Sequence, residues 1–268
     1  MKYGFIGTGC MGGALATACA KAIGPEDILL SNRSPEKAQA LAEKLGAIPA
    51  DNETITRDCD VIFLGVKPQT MAQMLLPLQP ILTGRRTPFV LVSMAAGVTI
   101  EALQDMAGGR YPIVRIMPNT ACAVGAGMTT YTCSAEVTDR QRQTVLDALA
   151  ASGLLEEIEE GLMGAASAVA GCGGAYACLF LEGLADGGVL CGLPRKKAQR
   201  MAAQMLLGMA TQALESGEHT GALKDAVCSP AGSTIAGIRK LESMSFRSAA
   251  MEAVIAAWER EREMQQQK

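Results

Sequence analysis

The stretch Tyr3-Gly4-Phe5-Ile6-Gly7-Thr8-Gly9-Cys10-Met11-Gly12 stands at the head of the chain and decides how the rest is read. Tyr3–Ile6 is a short apolar run of strand character and Ala14–Ala22 a helical pattern, so the G-x-G-x-x-G occupies a strand-to-helix turn. Gly7 permits the tight turn, Gly9 lets the backbone approach a pyrophosphate, and Gly12 lets helix and strand pack closely. The first amides of the helix attract the negative charge. In this context Ile6, Gly7, Gly9, Cys10, Met11 and Gly12 are read as contacts to a dinucleotide.

Outward from that turn the chain alternates. Ile28–Ser31, Val61–Val66, Phe89–Ser93 and Ile113–Met117 are nearly continuous apolar runs, as strands buried on both faces of a parallel sheet must be. Between them lie helix signals: Ser34 as N-cap, Pro35 at the first helical position and Glu36 in the first turn, with Gly46 as the stop after Leu45. Thr99 caps a helix through Met106, and Thr138 with Gln141 makes a capping box for a helix to about Ala151. The pattern predicts an α/β protein in which a Rossmann-type doubly wound sheet, residues 1–160, is followed by an all-α domain, residues 161–268. Helices are expected near 162–191, 195–216, 233–243 and 246–264, the second restarted by Gly192-Leu193-Pro194. The first contains Gly171, Gly173, Gly174, Gly183, Gly187 and Gly188, each costing about 1 kcal/mol against Ala, a cost that close backbone approach offsets. Such a segment makes no large core alone, so a homodimer is predicted. The polar tail Glu259–Lys268 reads as a frayed helix end.

Composition narrows the function. In 268 residues, 49% are hydrophobic and 19% charged, with a net charge of −3, which excludes a disordered chain and argues against nucleic acid or a membrane surface as partner. A small-molecule substrate is the expectation. Nine cysteines without a C-x-x-C pair fit reduced thiols in the cytoplasm, and neither a disulfide framework nor a zinc site; no metal is expected. The most apolar stretch, 175–191, is interrupted by Glu182 and Asp186, so no membrane span is expected. His219, the single histidine, rules against a multi-histidine metal centre or a Ser-His-Asp hydrolase and reads as a surface loop residue.

The end of the second strand bears on the cofactor. NAD sites place Asp or Glu there for the ribose 2′-hydroxyl, whereas this chain has Ser31-Asn32-Arg33-Ser34. Arg33, flanked by Asn32 and Ser34, suits a 2′-phosphate, so NADP(H) is preferred, with NAD(H) as the alternative. The plainer reading is that Arg33 is a solvated residue before a helix.

Further along come Asn52, Val66-Lys67-Pro68-Gln69, Ser93-Met94-Ala95-Ala96-Gly97, Arg115-Ile116-Met117-Pro118-Asn119 and a long stretch from Leu223 to Ile235 containing Cys228-Ser229-Pro230-Ala231-Gly232-Ser233-Thr234. With Leu241-Glu242 and Phe246-Arg247-Ser248 after them, the chain resembles the pyrroline-5-carboxylate reductase family nearly end to end. The resemblance implies NADPH-dependent reduction of 1-pyrroline-5-carboxylate to L-proline, the last step of proline biosynthesis, in homodimers that assemble further, commonly to decamers. It implies cofactor contacts at Asn52, Val66, Lys67, Pro68, Met94, Ala95 and Ala96, and substrate near Ser229, Gly232 and Glu160. It also implies that Thr234 bonds the imine nitrogen while Ser233 holds the carboxylate. The chain departs from the family at Ala226, where Asn is usual, at Gly174, where Pro is usual, and at Ala231, where Gly is usual. An alanine required at positive φ is strained.

The residues themselves agree with such chemistry while leaving alternatives. A protonated cyclic imine accepts hydride directly, so positioning dominates over acid–base groups. The loop before Ser233 offers amides and hydroxyls to a carboxylate or ring nitrogen, although Ser233 and Thr234 equally suit a plain helix cap. Lys67 reads as a backbone contact with its ammonium in solvent, Glu160 as the end of a solvated charge run, and Asn119, after the cis-capable Met117–Pro118 bond, as a wall of the nicotinamide pocket. Two rivals stand: a β-hydroxyacid dehydrogenase, disfavoured because Ala165–Leu190 has no lysine, and a non-catalytic NADP(H) sensor.

Overall fold

A computed structural model describes residues 1–266; Gln267 and Lys268, the end of the polar tail, lie outside the described residues. The chain divides into two compact units, Met1–Cys172 with residues 257 onward, and Gly173–Ala256.

The first unit is built on one sheet of eight strands in the order β3-β2-β1-β4-β5-β6-β7-β8. They are β1 (Tyr3–Ile6), β2 (Ile28–Ser31), β3 (Ile48–Pro49), β4 (Val61–Leu64), β5 (Val90–Ser93), β6 (Ile113–Met117), β7 (Gly127–Cys133) and β8 (Gly153–Glu157). The first six run parallel; β7 turns antiparallel to β6, and β8 runs parallel to β7. Because β1 is flanked by β2 and β4, the chain reverses its direction of winding there, and the crevice at the carboxyl ends of β1 and β4 is where such sheets bind ligands.

Helices α1 (Cys10–Ile23), α2 (Pro35–Leu45), α3 (Asn52–Asp58), α4 (Pro68–Leu75), α5 (Gln79–Gly84), α6 (Ile100–Ala107) and α7 (Asp139–Leu149) cover the sheet. Phe5, Phe63, Val92 and Val114 meet α1, α2 and α7 on one face, where Phe5 and Phe63 stack at 4.3 Å. Ile6, Ile62, Leu64 and Leu91 meet α3 to α6 on the other. Each such side chain contributes about 1.5–3 kcal/mol on burial. The expected signals work locally: Thr99 accepts from the Ala102 amide, Thr138 and Gln141 form the reciprocal box, and Gly46 ends α2 in the left-handed region. Ser34 holds the N-cap position of α2 without a side-chain bond.

A helical run from Glu160 to Leu190 follows β8. It comprises α8 (Met163–Ala166), a π-turn at Ser167–Gly171 and α9 (Gly173–Leu190). Met163, Ser167 and Ala168 are buried in the first unit, and the compact units part at 172/173, inside this run. The end of the last helix also belongs to the first unit. By length and mean hydropathy alone the run is apolar enough to cross a membrane, even with Glu182 and Asp186 in it.

The second unit holds α9, α10 (Arg195–Ser216), α11 (Thr220–Ala226), α12 (Ser233–Ser243) and most of α13 (Phe246–Gln266). Phe180 and Phe246 lie 5.5 Å apart, and the Tyr176 hydroxyl donates to the Ala253 carbonyl. The expected close approach at the glycines holds within the chain for Gly188, whose added Cβ would stand 3.2 Å from the Ala198 Cβ. An added Cβ on Gly173, Gly174, Gly183 or Gly187 would meet nothing within 4 Å inside one chain, which leaves the approach expected there to a second copy. The frayed tail is corrected too: α13 continues to Gln266, and Glu261 is buried. His219 caps α11, its Nδ1 accepting from the Gly221 amide.

Candidate functional site

In the first unit the opening motif is folded as a cradle. Gly7 has φ +99°, and its amide donates to the Ser31 carbonyl at the end of β2. An added Cβ on Gly12 would stand 2.1 Å from the Gly7 carbonyl oxygen, and one on Gly65 2.3 Å from the same atom. Gly7, Gly12 and Gly65 therefore lock β1, α1 and the end of β4 together. Gly65 escapes sequence reading because its role depends on β4 lying beside β1. Gly9, by contrast, is exposed, and an added Cβ there meets nothing within 4 Å. It is the N-cap of α1 and has no side chain to satisfy the following amides, which Cys10 and Met11 carry into the open crevice. Fourteen residues of α1 direct their dipole at this point. The arrangement fits the pyrophosphate of a dinucleotide: space above Gly9, unpaired donors and a positive helix end.

Beside the cradle an open cavity of about 960 Å³ is lined by Ser31, Asn32, Glu36, Asp51 and Asn52 among others. Ser31 donates to the Asn52 Oδ1 at the start of α3, and Asp51 accepts from the Thr54 amide at 2.7 Å. That amide bond holds the Asp51 carboxyl below its ordinary pKa. Arg33 is exposed and forms no ion pair among the described residues, so its guanidinium is open to a phosphate. Ser34 and Pro35 follow it into α2.

Two more segments border the crevice. After β4, Val66 is half-buried and Lys67 exposed, and Pro68 opens α4. The Lys67 carbonyl accepts from Thr70 while its ammonium projects to solvent. After β5, the Ser93 hydroxyl accepts from the Ala95 amide, Val98 bonds back to the Ala95 carbonyl, and Gly97 at φ +69° closes the turn. Met94, Ala95 and Ala96 lie on it.

Asn119 and Glu160 are both bonded within the first unit. The Asn119 side chain accepts from the Ala121 and Met128 amides and donates to the Ala170 carbonyl, which makes it a strut between the β6–β7 connection and the π-turn. The Met117–Pro118 bond before it is trans. Glu160 pairs at 3.1 Å with Arg115, which is only 2% exposed, and accepts from the Ile100 amide at 2.7 Å. It is no member of a solvated run.

In the second unit, Ser229 to Thr234 form a tight turn into α12. The Gly232 amide donates to the Ser229 carbonyl, and Gly232, extended at φ −76°, is the N-cap. An added Cβ on Gly232 would stand 2.4 Å from the Ser229 hydroxyl. Ala231 sits at φ 56°, the strained conformation the sequence raised. Ser233 and Thr234 are exposed, and neither hydroxyl caps the helix. The plain capping alternative is thereby set aside: Gly232 holds that place, leaving both hydroxyls and the first amides of α12 open to a ligand.

Comparison with known proteins bears on both units. Residues 160–264 match the family described as pyrroline-5-carboxylate reductase dimerisation, and residues 2–97 the family described as NADP oxidoreductase coenzyme F420-dependent. Pyrroline-5-carboxylate reductase of Escherichia coli is 39% identical over 97% of this chain and 96% of its own length. A crystal structure of the Plasmodium falciparum pyrroline carboxylate reductase with NADP bound is 34% identical with a TM-score of 0.87, over 99% of this chain and 98% of that one. The Coxiella burnetii enzyme is 31% identical with a TM-score of 0.89, over 98% and 97% of the two chains. The dimerisation match spans the whole apolar run Glu160–Leu190.

Proposed function

The chain belongs to the pyrroline-5-carboxylate reductase family, and from that premise we propose that it reduces 1-pyrroline-5-carboxylate to L-proline with NADPH, completing proline biosynthesis. The observation that carries the reading is the turn Ser229–Thr234, whose free hydroxyls and helix amides are arranged for a carboxylate and a ring nitrogen. Bound NADPH supplies the hydride, and the protonated imine is electrophilic enough to receive it without a strong protein acid. The chain's own work is positioning.

Ser229 and Ser233, with the Gly232 turn, orient the substrate carboxylate, and the Thr234 hydroxyl accepts from the protonated ring nitrogen and relays a proton to the amine that hydride transfer forms there. Gly7, Gly9, Cys10, Met11 and Gly12 hold the pyrophosphate, and Asn32, Arg33 and Ser34 the 2′-phosphate. Ile6, Asn52, Val66, Lys67, Pro68, Met94, Ala95 and Ala96 line the remainder of the cofactor. Asn119 and Glu160 act behind the site. The chain is a homo-oligomer acting on a small molecule, and we extend this to a decamer of five dimers, as the family resemblance implies. Its nine free thiols suit a reducing, cytoplasmic setting.

The test is oxidation of NADPH by the purified chain with 1-pyrroline-5-carboxylate, followed by absorbance and repeated with NADH. Turnover is expected with NADPH, and Thr234→Ala is expected to lower kcat/KM by roughly tenfold or more, the loss of one hydrogen bond to a charged group. Arg33→Ala is expected to weaken NADPH more than NADH. Cofactor binding without turnover would overturn the enzyme in favour of a sensor.

A further inference from the structure

Arg115 is a charge in an unusual place. It lies in the interior of the sheet, on β6, 2% exposed, where an uncompensated guanidinium would be strongly destabilising. Its strand register sets it directly beside Ser93, the last residue of β5, from which Met94–Gly97 departs. Its Nη1 meets the Glu160 Oε1 at 3.1 Å, and the same oxygen accepts from the Ile100 amide at 2.7 Å.

Those contacts close a ring. The segment leaves β5 next to Arg115, turns through Gly97, is capped by Thr99 and enters α6 at Ile100, where Glu160 grips the first helical amide. A carboxylate at a helix N-terminus is favourable in itself, and here the same group also neutralises the buried guanidinium. The Met94 amide donates to the Leu64 carbonyl at 3.4 Å where the segment leaves the sheet, and the bonds beyond it are local: Ala95 to Ser93, Val98 to Ala95 and Ala102 to Thr99. At the far end of the turn the bond from a distant part of the chain is the one to Glu160, which links that end to the strand beside its origin.

We infer that Arg115 and Glu160 are positioning residues, a buried ionic clamp that sets the Met94–Gly97 turn and through it the affinity for NADPH. The inference rests on the reading that this turn contacts the cofactor. It differs from the family resemblance, which sets Glu160 near substrate. Glu160→Gln keeps an acceptor for the Ile100 amide and removes the charge; Glu160→Leu removes both; Arg115→Met leaves the carboxylate without its cation.

The experiment is fluorescence titration of NADPH against the intact protein and each variant, with KM for the imine measured alongside and hydrogen exchange followed at residues 94–103. The expected result is that Glu160→Leu weakens NADPH roughly tenfold and Glu160→Gln less, in the range of coupled network residues. KM for the imine at saturating NADPH stays within about twofold, exchange rises at 94–103, and combining Glu160→Gln with Arg115→Met costs less than the sum of the singles. Because Arg115→Met leaves a buried site altered, Glu160→Gln carries the test if the former fails to fold. A rise in KM for the imine with unchanged NADPH affinity overturns the clamp and makes Glu160 a substrate contact. Unchanged values for both overturn it as well. Failure of the unaltered protein to bind NADPH is a different result, since it strikes the cofactor reading itself.

Discussion

Ala231 bears a backbone cost that a glycine would avoid. At φ 56° an L-residue is about 1–2 kcal/mol less favourable than glycine, while glycine's greater freedom in the unfolded chain returns roughly 0.4–1 kcal/mol. Ala231→Gly should therefore stabilise the protein by up to about 1 kcal/mol, and Ala231→Val should destabilise it, both read by chemical denaturation at fixed protein concentration. Equal stability of all three would mean that the turn relaxes elsewhere. A second residue makes a prediction in pH. Burial pushes the Glu261 carboxyl above its ordinary range, while a hydrogen bond with Ser167 and the charge of Arg115 pull it down. The folded state thus holds this proton more tightly than the unfolded chain. The stabilising contribution is complete below the ordinary value of 4.5 and is lost as pH rises through the raised one. Glu261→Gln should remove that loss, so its Tm relative to the unaltered protein should climb from acid toward neutral pH. A relative Tm that falls instead would show that the Arg115 attraction outweighs burial.

At the scale of elements, the β1-turn-α1 unit separates two functions of glycine. Gly12→Ala drives a methyl against the Gly7 carbonyl at 2.1 Å, so it should destabilise the fold as well as abolish cofactor binding. Gly9→Ala meets nothing within 4 Å, so thermal stability without cofactor should be unchanged while NADPH affinity falls by roughly tenfold or more. Loss of stability in Gly9→Ala would remove the distinction. This unit was legible in the sequence because its signals are local: strand, turn and helix lie within Tyr3 to Ile23. The same holds for β1, β2, β6 and the caps at Thr99 and Thr138. What was hidden depends on neighbours. β7 buries Thr129, Thr130 and Thr132, so its polar spelling conceals a strand that only its place between β6 and β8 makes buried. β8 carries Glu156 and Glu157 on an edge, and β3 has only two residues, one of them a proline. Glu160 misled for the same reason: its partners Ile100 and Arg115 are remote in sequence, and a run of four acidic residues around it reads as solvent-facing.

The whole molecule is incomplete as a single chain. Leu190 is 90% exposed, Leu214 75% and Leu179 72%, and Met201, Leu207, Met244 and Met251 are exposed with them on the helices of the second unit. A surface of this kind is stable in water when another covers it, and the match of residues 160–264 to a dimerisation family makes a second copy the expected cover. The helical glycines sharpen the point. A Cβ added at Gly183 or Gly187 would meet nothing within 4 Å in one chain, yet each glycine costs about 1 kcal/mol against alanine in a helix. In an isolated chain that cost has no return, and Gly187→Leu should raise stability through better helix propensity. If a partner backbone approaches there, the same substitution inserts a side chain into the contact. The expected outcome is the second: light scattering should show the unaltered protein as an even-numbered oligomer and Gly187→Leu shifted toward monomer, with a lower and concentration-dependent Tm. A variant that is more stable and still dimeric would place the interface on another face of these helices and leave the glycines without an energetic reason.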